Sequence, residues 1–189
     1  MSDDSELYFL ERETRPTRSE IDSNNCPYLL SEWHLPIVWL ALFQPQDARI
    51  DATSIRDGDR AYFAARRHDA ISNLEKRRPW IHAAVPGLDE VWLDSFTKFL
   101  MACEFSWIHV QPPPFCEEGS APSINELRQL LAIFDTPPSS RGATAKDMAG
   151  DQDLYRTCFP SQFNSAEADI KLISLGASGT DTLMTWETQ

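Results

Sequence analysis

Basic residues are in short supply in this chain. Seventeen lysines and arginines stand against 29 aspartates and glutamates, a net charge of −12. Such a surface repels nucleic-acid phosphates and anionic lipid headgroups over a Debye length of about 8 Å at physiological salt, so neither nucleic acid nor a membrane is an expected partner. Glycine is also scarce, 7 residues in 189, which argues against low-complexity and flexible-linker architectures. The longest apolar run, Leu35 to Phe43, falls well short of the roughly 20 residues that a membrane-spanning helix needs. The N-terminal Met1-Ser2-Asp3-Asp4-Ser5-Glu6 is acidic where a secretory leader is basic and then apolar. A cytoplasmic location is expected.

Spacings that carry chemistry are missing too. Cys26, Cys103, Cys116 and Cys158 form no C-x-x-C pair, so a reduced, unpaired set is simplest and neither zinc nor redox chemistry is indicated. His34, His68, His82 and His109 are far apart, with no two placed to share a helix face around a metal. Asp151-Gln152-Asp153 lacks the glycine and distal glutamate of a calcium loop. Gly176-Ala177-Ser178-Gly179 does not have the order of a nucleophile elbow and reads as a turn. No catalytic residue, metal ligand or cofactor site is expected.

What remains is the material of a packed domain. With 42% hydrophobic and 11% aromatic residues, the chain reads as one globular domain over 1–189, able to bury roughly 70% of its unfolded surface. The run Glu6 to Glu13 predicts a first strand, and 14–27 is loop-like. Pro36 suits the first turn of a helix over the apolar Ile37 to Phe43. Asp57-Gly58-Asp59 predicts the start of a long helix carrying Phe63, Ala70, Ile71 and Leu74 and ending at Lys76-Arg77-Arg78 before Pro79. A third helix is expected from about Asp89 to Cys103, with Trp92, Phe96, Phe99, Leu100 and Cys103 at core spacing, then a strand over Phe105 to Val110 stopped by Pro112 to Pro114. Ser123-Ile124-Asn125-Glu126 is a capping-box pattern, followed by Leu127, Leu130, Leu131 and Phe134 on one face. The segment 136–153 reads as a mobile loop, and strands are expected at Asp169 to Leu175 and Asp181 to Trp186, joined as a hairpin. The class is α+β, with about four helices and a small antiparallel or mixed sheet. Of the six tryptophans, Trp33, Trp39, Trp92 and Trp107 sit in apolar patterns, whereas Trp80 and Trp186 border turns where an indole can be half exposed.

The order of four blocks resembles uncharacterised bacterial immunity-type proteins associated with polymorphic toxins. These are Glu32-Trp33-His34-Leu35-Pro36 with the apolar run to Phe43, the Arg66 to Arg78 helix, Ser95 to Leu100 leading into Trp107-Ile108-His109-Val110, and Glu126-Leu127-Arg128 to Phe134-Asp135. The resemblance spans about residues 6–136, and the chain departs from it where Gln111 and prolines stand in place of an acidic residue after the Ile-His-Val strand. It implies a protein that neutralises a cognate toxin by occluding its active or substrate site, and it carries over no catalytic residue. The acidic surface favours a basic toxin domain as partner, with Trp80, Asp89, Glu90, Glu117 and Glu118, all in predicted loops or at element ends, as candidate contacts. The alternatives are a small enzyme with a site assembled from distant residues, such as His109, Cys116 and Glu118, and a scaffold or homodimeric module. A homo-oligomer remains open on sequence grounds.

Overall fold

The computed structural model describes residues 4–15, 28–32, 34–51, 60–85, 87–112, 123–135, 169–179 and 183–188. The fold is α+β. In chain order the elements are β1 (Asp4–Leu10), β2 (Tyr28–Glu32), α1 (Ile37–Leu40), β3 (Ala48–Asp51), β4 (Arg60–Arg66), α2 (Arg67–Ala84), α3 (Glu90–Ala102), β5 (Trp107–Gln111), α4 (Ile124–Leu131), α5 (Ile170–Leu175) and β6 (Ala177–Ser178). The strands form one six-stranded sheet in the order β3-β4-β5-β1-β2-β6, and every pairing is antiparallel.

Strand alternation sorts the side chains into two faces. Leu7 and Phe9 of β1, Phe63 of β4, and Ile108 and Val110 of β5 enter a continuous core with Leu93, Phe96 and Leu100 of α3 and Leu127, Leu130 and Leu131 of α4. Phe63 stacks on Phe43 at 5.1 Å, and Phe9 meets the edge of Phe99 at 5.5 Å. The opposite face carries Tyr8, Tyr62, Ala64 and His109, which are also buried. The turn after β1 lies against it: Ser106 Oγ donates to Glu11 Oε2 at 2.8 Å, His109 Nε2 lies 2.9 Å from the Arg12 carbonyl, and Arg49 Nε donates to Glu13 Oε1 at 2.9 Å.

Local signals hold where caps set the boundary. Asp89 caps α3, accepting from the Val91 amide. Ser123 and Glu126 make both bonds of the capping box at α4. The expected apolar helix after Pro36 is a single buried turn, and the strand expected over Phe105 to Val110 runs from Trp107 to Gln111.

Several expectations are corrected. The stretch before Arg67 is strand β4, so Phe63 points inward from a sheet. The helix that follows runs through Lys76-Arg77-Arg78 and Pro79 to Ala84. The Asp169 to Leu175 strand is instead helix α5: Asp169 Oδ1 accepts from the Lys171 and Leu172 amides, and Gly176 ends the helix at φ 78°. A side chain at Gly176 would collide with the Trp39 ring and approach the Leu30 carbonyl to 2.9 Å. Hence Ala177 and Ser178 do not turn a hairpin but pair with Leu30 and Leu29 of β2, and Thr185–Glu187 is a turn. Strands β2 and β3 were not anticipated, and five α-helices are described against about four expected. Residues 16–27 of the loop expected at 14–27, and the whole of that expected at 136–153, lie outside the described residues.

Candidate interaction surface

Helices α2 and α3 pair along a charged seam. Glu75, Arg78 and His82 recur at helical spacing on the face of α2 that meets α3. Arg78 is the hub: Nη1 donates to Asp94 Oδ1 at 2.8 Å and to Glu90 Oε1, and Nη2 donates to Thr97 Oγ1 at 2.9 Å. Its Nε lies 2.9 Å from Glu75 Oε2, an ion pair by distance though not aligned as a hydrogen bond. Glu90 also meets His82 Nε2. Burial alone would lower the Arg78 pKa, but the hydrogen bonds to Glu90 and Asp94 and the Glu75 carboxylate beside it outweigh it and the shift is upward. The arginine side chain is only 12% exposed, whereas the Glu75, Glu90 and Asp94 carboxylates are about half exposed. The cation lies beneath and the carboxylates face outward. Val91 and Met101, 57% and 63% exposed, are large apolar side chains of α3 left to solvent.

Of the sequence-predicted contacts, Glu90 lies in this seam and Asp89 is the N-cap residue immediately before it. Asp89 is exposed, with one carboxylate oxygen 3.3 Å from the Val91 amide it caps. Trp80 is not at a loop. It sits inside α2, half-buried, with its ring edge-on to Phe134 at 5.0 Å. It shares that side of the helix with Arg77, whose guanidinium lies over Phe134 and donates to the Ala41 and Phe43 carbonyls. Glu117 and Glu118 lie outside the described residues. Sequence reasoning missed Glu75, Arg78 and Asp94. The i, i+3 spacing of Glu75 and Arg78 was visible, but the register of α2 against α3 was not.

Two histidines elsewhere invite a chemical reading. His34 lies 3.0 Å by Nε2 from Ser31 Oγ, a serine–histidine pair by distance. Yet its Nδ1 is 2.8 Å from the Glu32 carbonyl and its Nε2 is 2.8 Å from the Ile173 carbonyl. Both ring nitrogens face backbone carbonyls, and the ring and Ser31 are buried, so the pair is a packing contact and not a base held ready for a serine proton. The ring acts as part of a clamp. Trp39 Nε1 donates to Leu175 O and Trp186 Nε1 to Gly176 O, both at 2.8 Å, so three rings satisfy carbonyls that the end of α5 would leave bare. Trp186 is therefore a core residue, fully buried against Phe96 and Phe99, and not a half-exposed anchor.

His109 stands between Tyr8 and Tyr62, its ring near parallel to both at 5.4 and 6.1 Å. Burial lowers its pKa to about 4, against the opposing pull of the Arg12 carbonyl. The ring is thus neutral at pH 7, with Nε2–H donating to Arg12 and the Nδ1 lone pair without a partner. Burial also raises the Tyr8 hydroxyl, with the neighbouring Arg15 guanidinium opposing. Both shifts come from the stack's own burial. Cys116 and Glu118, the other members of the alternative enzymatic set, lie outside the described residues. Among the described residues no three His, Cys, Asp or Glu side chains gather to hold a metal ion, and no helix is long and apolar enough to cross a membrane. Comparison with protein-family models, curated proteins and solved structures finds no match to this chain.

Proposed function

We propose that the protein is an immunity-type inhibitor that binds a basic toxin domain and covers its active or substrate site, using the α2–α3 face. The observation that supports this most is the arrangement around Arg78. One nearly buried cation holds the exposed Glu75, Glu90 and Asp94 carboxylates in place. Ordering charged side chains on binding costs about 0.5–1.5 kcal/mol each, and a face whose carboxylates are already fixed avoids part of that loss. Val91 and Met101, exposed on the same helix as Glu90 and Asp94, offer the apolar contact from which most interface energy comes, while the carboxylates set orientation and encounter rate.

The test is binding of the purified product of the neighbouring gene, read by calorimetry, together with protection of cells that express it. Replacing Glu90 and Asp94 by Gln and Asn should raise Kd by about tenfold or more, a loss of about 1.4 kcal/mol. No binding by the wild-type protein at micromolar concentration overturns the proposal, and unchanged affinity of the double variant moves the interface off this face.

A further inference from the structure

The two buried histidines differ in what their rings face. His109 has one carbonyl acceptor, that of Arg12, and its other nitrogen has no partner. His34 has two: Nδ1 lies 2.8 Å from the Glu32 carbonyl of β2, and Nε2 lies 2.8 Å from the Ile173 carbonyl of α5. A neutral imidazole carries one N–H and one lone pair, so it serves one of these acceptors and turns its lone pair on the other. An imidazolium donates to both, and hydrogen bonds to the charged form favour that form against the cost of burial. Ser31 Oγ, 3.0 Å from Nε2 and 3.2 Å from Nδ1, can donate to a lone pair on either nitrogen, but the carbonyl facing that lone pair is then left without a donor. The charge nearby has the matching sign. Among the described residues that line the groove beside His34, the charged ones are Asp4 of β1 and Glu32 of β2, both acidic. Helix α5 contributes Leu172 and Ile173 there, and β6 contributes Ala177 and Ser178.

We propose that His34 is a doubly protonated latch, which holds the segment 170–178 on the sheet and lets it loosen when the ring gives up one proton. The Nε2 proton leaves to solvent through the groove that the ring lines. Nδ1–H keeps the Glu32 carbonyl, the Ser31 hydroxyl turns its proton onto the Nε2 lone pair, and the Ile173 carbonyl loses its donor. The α5 side yields because β6 pairs with β2 over two positions, whereas β2 pairs with β1 over five. The other ties on the end of α5, from Trp39 Nε1 and Trp186 Nε1, are indoles and do not titrate. A folded state that keeps the second proton binds more protons than the unfolded chain above the ordinary histidine value of about 6.5. The latch therefore contributes its full share of stability below that value and loses it as pH rises, opposite in sign to His109.

Nuclear magnetic resonance of the protein labelled with nitrogen-15 histidine tests the protonation directly. At about pH 7.5 both His34 ring nitrogens should carry protons in the folded protein, and only one in the urea-unfolded chain. One bare ring nitrogen in the folded protein at that pH overturns the proposal. The latch itself is read by raising the pH from about 6 to about 9. Amides of Ile173, Leu175, Ala177 and Ser178, and the indole N–H groups of Trp39 and Trp186, should shift in step with the His34 ring. Shifts confined to Ser31 and His34 overturn the latch. His34→Gln retains an N–H donor and cannot titrate, so it should abolish the shifts along 173–178. Their persistence in that variant assigns them to another group and overturns the proposal. Should the variant fail to fold, as circular dichroism would show, the two wild-type measurements decide by themselves.

Discussion

A neutral, stacked histidine makes His109 a pH-dependent element of the fold. Its pKa is about 4 in the folded protein, against about 6.5 in an unfolded chain. Between those values the unfolded state binds more protons, so stability rises with pH across this window. The side chain's contribution is complete above about 6.5 and falls away as pH drops toward 4. His109→Phe keeps an aromatic ring between Tyr8 and Tyr62 and removes both the titration and the bond to the Arg12 carbonyl. The variant should lie within about 1.5 kcal/mol of wild type at pH 7, with a shallower loss of stability from pH 6.5 to 4. Urea denaturation at a series of pH values reads both. An unchanged slope would mean that His109 is already protonated in the folded state near pH 6.

At the scale of elements, α4 and α2 make opposite predictions. Leu131 sits on the buried face of α4, 1% exposed, so Leu131→Ala leaves a cavity and should destabilise by about 2–5 kcal/mol. A loss under about 1 kcal/mol in chemical denaturation would show that the helix can lift off the sheet. Pro79 lies inside α2 and is exposed, so the helix lacks the amide that would bond the Glu75 carbonyl. Pro79→Ala should raise the melting temperature, because the gain of helix propensity, up to about 3 kcal/mol, exceeds the roughly 0.4–1 kcal/mol by which proline restrains the unfolded chain. These helices show which signals a sequence carries. The helix start at Asp89 and the cap at Ser123 were legible because a short polar side chain meets backbone amides two or three residues away. Strand β4 was not: Ala61 to Ala65 are all buried, since both sheet faces are covered, and the period-two alternation that marks a half-exposed strand is erased. Alanine's helix propensity then points the wrong way. Helix α5 was misread because its ends are set partly from a distance, by His34, Trp39 and Trp186 on its last carbonyls. Of the candidate site, Asp89 and Glu90 were legible as charge at a helix start, whereas the Arg78 hub required the docking of α2 on α3.

At the scale of the whole molecule, charge governs encounter. A net −12 produces a field felt beyond contact distance, and with a basic partner it accelerates association at low salt while the short-range contacts set dissociation. The association rate should therefore fall as ionic strength rises through the range where the Debye length shrinks from about 30 Å to about 8 Å, with dissociation changing much less. Glu117 and Glu118 are adjacent acidic residues in the sequence. Glu117→Lys with Glu118→Lys exchanges two negative charges for two positive ones, and it should slow association at low salt more than it speeds dissociation. At high salt its association rate should converge on that of wild type, because screening removes the same long-range attraction that the substitutions remove. Stopped-flow mixing with the neighbouring-gene product separates the two rates. If association is insensitive to salt and the reversed variant binds as wild type does, the acidic surface serves solubility, and affinity must come from short-range contact such as Val91 and Met101 provide.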